Sequence, residues 1–131
     1  MHPGGPFWRN KDDGAWSIPK GEYDNDEDPW TAAVREFGEE LGQAAPMGHP
    51  IDLGEVRQAG GKRVRCFAIE GDLDITEVRS NTFVMEWPPK SGRMEEFPEV
   101  DAAAWVSSEL ARVKLLKGQV PFVDALLDQL H

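Results

Sequence analysis

Between Asp28 and Gly42 the apolar residues Trp30, Ala33, Val34, Phe37 and Leu41 recur at spacings of three and four. At 3.6 residues per turn they share one face, so the spacing predicts an amphipathic helix. Asp28 before Pro29 supplies an N-cap carboxylate and a proline at the first helical position. Gly42 closes the helix, and Pro46 and Pro50 prevent its continuation. Downstream the period changes to two. Ile51 to Arg57 and Lys62 to Glu70 alternate as two strands, joined by a Gln58-Ala59-Gly60-Gly61 turn. Asn81 to Trp87 is a further strand, stopped by Pro88-Pro89, and Lys90 to Pro98 reads as loop. Ala102 to Val106 is a last strand, Ser107 caps a helix to about Leu116, and Pro121 opens a final helix with a stripe of Phe122, Val123, Leu126, Leu127 and Leu130. The first fifteen residues read as loop, followed by a short strand, Trp16-Ser17-Ile18.

The polar face of the first helix is unusual. Glu36 and Glu40 lie one turn apart on a stripe beside the apolar face, and Glu39 lies next to Arg35, four residues earlier. Carboxylates this close raise each other's pKa unless a cation joins them, and a hard divalent ion such as Mg²⁺ takes oxygen ligands. Acidic runs on helices are commonly solvated faces, and that alternative applies to an isolated Glu-Glu pair. An EF-hand, suggested by Asp24, Asp26 and Asp28, is excluded. Pro29 stands where its loop needs glycine, and Arg35 where it needs the bidentate glutamate.

The spacing extends beyond the helix. Gly21, five residues, Glu27, seven residues, then Arg35-Glu36-Phe37-Gly38-Glu39-Glu40-Leu41-Gly42 reproduce the pattern G-x5-E-x7-R-E-U-x-E-E-x-G-U. Only Gln43 at the last, normally apolar position departs from it. In this stretch the chain resembles the Nudix family, and the order of elements resembles its α/β/α sandwich with a mixed sheet over nearly the whole length. One departure concerns the start: just twenty residues precede Gly21, where relatives carry one or more strands. The expectation is a fold shortened at the N-terminal strand, or an open sheet edge that leads to a homodimer or to low stability.

The resemblance implies hydrolysis of a nucleoside diphosphate linked to another group, with Mg²⁺ or Mn²⁺. Glu36, Glu39 and Glu40 are the expected metal ligands, and the backbone carbonyl of Lys20 joins them as the equivalent carbonyl does in relatives. Arg35 is read as the orienter of Glu27, with an ordinary surface pair as the alternative. The Lys20 amine is a candidate for a substrate phosphate, and Gly21 allows a tight turn. The general base is left open between Glu36 and Glu39 in the box and Glu95, Glu96 and Glu99 downstream. For base recognition Trp8, Trp16, Trp87 and Trp105 are available, and Trp8, in a polar loop, is least explained by packing. Arg57, Lys62, Arg63 and Arg65 read as a solvated strand face. Proline and tyrosine are missing about sixteen residues past the box, where Ala59 to Gly61 stand, so those substrate markers are absent. The Ile18-Pro19-Lys20-Gly21 stretch is similar to the box opening of dinucleoside-polyphosphate and inositol-pyrophosphate hydrolases, and the low number of cations disfavours the highly charged inositol species.

Composition adds limits. With 131 residues the chain reads as one domain, and its 40% hydrophobic and 29% charged content suits a soluble globular protein. No apolar run approaches membrane-spanning length, and no signal peptide is recognisable. The single cysteine, Cys66, sits in an alternating apolar stretch as core filler and suits a reducing cytoplasm. A net charge of −10 disfavours long nucleic acid as a partner but not a small nucleotide carried with metal. The alternative from another class is a non-catalytic Nudix-fold module that binds a nucleotide or a partner, although such modules often lose box glutamates and this chain keeps them.

Overall fold

In the computed structural model, residues 1–19, 26–57 and 63–130 are described. The order is β1 (His2–Pro3), α1 (Pro29–Leu41), β2 (Ile51–Arg57), β3 (Arg63–Ala68), β4 (Thr82–Glu86), β5 (Met94–Pro98), β6 (Val100–Ala102), α2 (Ser108–Lys114), a short 3₁₀ turn (Lys117–Gln119) and α3 (Val120–Leu130). The strands pair as three antiparallel ladders, β1 with β6, β2 with β3 and β4 with β5. One parallel bridge, Trp16 with Leu115, makes the β structure mixed by a single contact.

The β2–β3 hairpin is the middle layer. Val64 and Cys66 of β3 are buried with Phe122 of α3, and Ile18, Leu53 and Val56 pack around them. Phe67 meets Trp30 of α1 edge-on, with ring centroids 5.3 Å apart. Helices therefore cover the hairpin from two sides, and the fold is the α/β/α sandwich that the resemblance implies. Burying a side chain such as Phe122 stabilises by about 1.5–3 kcal/mol. Cys66 is filler, as its place in the alternation suggests: burial pushes its thiol up to about 12, which leaves no thiolate near neutrality.

Helix α1 starts and stops where its sequence dictates. The Asp28 carboxylate accepts from the Thr31 backbone N–H at 3.0 Å, with Pro29 at the first position. Gly42 ends it in a left-handed conformation, φ 70°, and a Cβ there would stand 2.4 Å from the Arg79 carbonyl oxygen. Its apolar face, including Trp30, Val34, Phe37 and Leu41, borders a cavity of about 340 Å³ shared with β3.

Four expectations fail in detail. The first fifteen residues are not all loop, because His2–Pro3 pairs with Val100–Ala102. Trp16 to Ile18 forms a single bridge instead of a strand; Gln119, fully buried, holds it by accepting from the Ile18 N–H and donating to the Ser17 hydroxyl. Met94–Pro98, read as loop for its charges, is β5, with Phe97 opposite Phe83. The last strand is Val100–Ala102, four residues shorter on its C-terminal side than Ala102 to Val106 requires. At β1 and β5 a tertiary pairing overrides weak local propensity, whereas Trp16 to Ile18 and the residues after Ala102 lack, among the described residues, the partner strand that their pattern calls for. No helix among the described residues is long and apolar enough to cross a membrane.

Candidate active site

Arg35 organises the carboxylates of α1. Its guanidinium grips Glu27 with two nitrogens, Nη2 to Oε1 at 3.0 Å and Nε to Oε2 at 3.3 Å. The same group donates from Nη1 to Glu36 at 2.9 Å and lies 3.7 Å from Glu39. The expected orienting contact with Glu27 is therefore present, and the pairing with Glu39 is the looser one. These bonds hold the guanidinium's pKa above its ordinary value, chiefly through Glu27.

One guanidinium does not balance this group. The Glu36 carboxyl is held above the usual carboxylate range, first by burial and then by repulsion from Glu39, with Arg35 opposing and Glu99 adding to the rise. Glu99 reaches this position through the backbone. The Asn81 N–H donates to the Glu39 carbonyl, the Glu99 N–H to the Asn81 carbonyl, and the Gly4 N–H to the Glu99 carbonyl, each at 2.9 Å. Gly4 makes the last contact possible, since a Cβ there would lie 2.0 Å from the Pro98 carbonyl oxygen. This ladder ties the N-terminal segment, the residue before β4 and the residue between β5 and β6 to the end of α1.

The other candidates are distributed unevenly. Glu40 is buried, at 8% exposure, and borders a cavity of about 230 Å³ with Glu99, Trp8 and Ser17. Glu96 stands on β5 opposite Val84, and Glu95 opposite Met85, both exposed. Lys20 and Gly21 lie outside the described residues. Among the described residues no three or more His, Cys, Asp or Glu side chains converge on a common ion position. The donors present are carboxylate oxygens, the type that a hard divalent ion takes.

Gln43, the polar residue at the box's last position, has a structural reason. Its amide donates to the Asp74 carbonyl at 2.8 Å and accepts from the Asp74 N–H at 3.2 Å. Both hydrogen-bonding groups of a passing backbone are thereby satisfied, which an apolar residue cannot do. Glu99 is the residue whose position beside the box the sequence does not reveal. Its only signal was its place among three downstream acids, and the backbone ladder that separates it from the other two is not written in the local pattern.

A family model for the NUDIX domain matches residues 6–127, nearly the whole chain. The chain belongs to the Nudix family. No curated protein and no solved structure matches it with significance. Four residues of the family's box, Glu27, Arg35, Glu36 and Glu39, are thus in electrostatic contact in the structure.

Proposed function

We propose that the chain is a divalent-metal-dependent pyrophosphohydrolase. Its substrate is a nucleoside diphosphate linked to another group, such as a nucleoside triphosphate or dinucleoside polyphosphate. One observation carries this reading: on the signature of the family, three carboxylates, Glu27, Glu36 and Glu39, gather around the single Arg35 guanidinium. A site left short of positive charge suits Mg²⁺ or Mn²⁺ arriving with a polyphosphate.

In this proposal Glu36, Glu39, Glu40 and the backbone carbonyl of Lys20 hold the ion. When bound, the ion polarises the phosphoryl oxygens and lowers the pKa of the attacking water. Arg35 keeps Glu27 and Glu36 in fixed orientation, the Lys20 ammonium meets a phosphate, and Gly21 permits the turn beside it. Cleavage is an in-line attack of water on phosphorus, so a carboxylate must take the water's proton. Glu36 and Glu39 are candidates within the box. Of the downstream acids, all exposed, Glu99 borders the cavity that Glu40 also lines, and Glu96 on β5 is retained as the alternative. Dimerisation through a ladder edge is a separate part of the proposal, since each of the three ladders has only two strands among the described residues. A monomer in sedimentation overturns that part.

The test is incubation with Mg²⁺ or Mn²⁺ and a panel of nucleoside triphosphates, dinucleoside polyphosphates and nucleotide sugars. The proposal requires turnover that stops without metal and is lost in Glu40→Gln. Absence of turnover across the panel overturns it and leaves the non-catalytic binding module.

A further inference from the structure

A cavity of about 230 Å³ beside the box is lined by Glu40 and Glu99 and by one aromatic residue, Trp8, together with Pro3 and Ser17. It touches the carboxylate helix at Glu40, a box residue.

The other tryptophans are engaged within the protein. The Trp16 indole donates to Asp12 and its ring meets His2 edge-on. Trp30 is paired with Phe67, Trp87 with Phe7, and Trp105 donates to the Leu73 carbonyl. Trp8 is half-buried, and the partner recorded for its ring is the Lys11 ammonium, 5.2 Å from the centroid. A cation over an aromatic face is a contact that another π-system or a ligand can share or replace.

Trp8 is also held in place. Its N–H donates to the Gly5 carbonyl, the Lys11 N–H donates to the Trp8 carbonyl, and Nε2 of buried His2 lies 2.7 Å from the Lys11 carbonyl oxygen. The second ring nitrogen of His2 meets Asp101 at 2.8 Å, which fixes the turn to the residue after Val100. The platform is thus pre-positioned, and little ordering is needed when a ligand arrives.

We infer that Trp8 is the base platform of this enzyme: the nucleobase of the substrate stacks on its indole inside this cavity while the phosphates lie toward Glu36 and Glu39. The inference rests on the nucleotide reading above and adds the residue that selects for a base. Stacking is tolerant of base identity, so the ligand class is nucleoside polyphosphates in general, distinguished from base-free polyphosphates.

Quenching of tryptophan fluorescence tests this without turnover, with ATP and GTP as ligands and inorganic tripolyphosphate as the base-free probe. ATP and GTP are expected to quench, and tripolyphosphate not. Trp8→Phe should abolish most of the quench while keeping nucleotide affinity, measured by calorimetry, within a few-fold. Trp8→Leu should weaken nucleotide binding about tenfold, as loss of one stacking contact does, and leave tripolyphosphate affinity as it was. Persistent quenching in Trp8→Phe, or equal weakening of both ligand classes in Trp8→Leu, overturns the inference. Hydrolysis is assayed separately on the same proteins. Trp8-dependent binding without turnover sinks the hydrolase reading and keeps the platform; turnover with Trp8-independent binding sinks the platform and keeps the hydrolase.

Discussion

Two acidic clusters in this molecule are each gathered around one cation, and they end differently. At the junction of the N-terminal loop and α2, the Lys114 ammonium binds Asp12 at 2.6 Å and Asp13 at 2.8 Å. There the bonds hold Lys114 above its ordinary value and Asp12 below its own, and the Trp16 indole adds a bond to Asp12. On α1, Arg35 faces Glu27, Glu36 and Glu39 with Glu99 nearby, and Glu36 still rises. The first cluster is exposed, and its ammonium holds Asp12 below the ordinary range although two aspartates share it. The second is partly buried and short of positive charge, and only the second lies on the box. Acidic residues in number do not make a site; an imbalance that the fold maintains does.

The largest expected effect breaks the second cluster and leaves the first. Glu36→Gln should lower kcat by about 100-fold or more, as removal of a group that handles the water's proton or holds the metal does. Asp13→Asn, in the first cluster, should leave kcat within about twofold. Comparable losses in both variants would make the distinction meaningless. The raised Glu36 also sets a pH dependence. If the ionised carboxylate is the working form, activity falls on acidification sooner than an ordinary glutamate predicts. Removing the repulsion in Glu39→Gln moves the acid limb of single-turnover rates to lower pH, and removing the counter-charge in Arg35→Met moves it higher. For stability the sign is opposite to that of a carboxylate in a good salt bridge. The folded state holds the Glu36 proton more tightly than the unfolded chain does. Its contribution therefore favours folding below the unfolded value and fades as pH rises through the folded one.

Metal binding gives the next effect. Saturation at about 100 times Kd stabilises by about 2.7 kcal/mol, so Mg²⁺ should raise Tm by several degrees. Glu36→Gln should abolish most of that shift, and Asp12→Asn should keep it. A shift retained in the first and lost in the second would place the ion at the wrong cluster.

The difference between the clusters was only half legible in the sequence. The box is readable because a helix fixes relative positions: Arg35, Glu36 and Glu39 must be neighbours whatever the rest of the chain does. The N-cap at Asp28, the stop at Gly42 and the hairpin are readable for the same local reason. Glu99 is not, because its place depends on three backbone bonds joining Gly4, Asn81 and Glu39 across the chain. The same holds for β1 and β5, whose residues are poor strand formers and acquire order from the partners opposite them. Asp12 and Lys114 are separated by more than a hundred positions, so their pairing is invisible to any window of sequence. Exposed Trp105 and Val106, taken for strand, show the reverse error, in which apolar residues have no pairing partner at all among the described strands.

The smallest effect tests the first cluster directly. Lys114→Met removes the ammonium and leaves Asp12 and Asp13 facing each other near the first turn of the chain. Both aspartates are largely exposed, so water and salt screen the repulsion, and the loss of Tm should be small and shrink further as salt is added. Asp12 should then titrate closer to the ordinary aspartate range, because the bond to Lys114 is the main cause of its lowering. Arg35→Met should behave differently under the same salt series. Glu36 owes its rise first to burial, which salt does not screen, so the deficit there should persist at high ionic strength and be relieved instead by Mg²⁺. If both variants lose their Tm deficits equally as salt rises, burial is not what separates the clusters, and the argument for a metal site on α1 loses its physical basis.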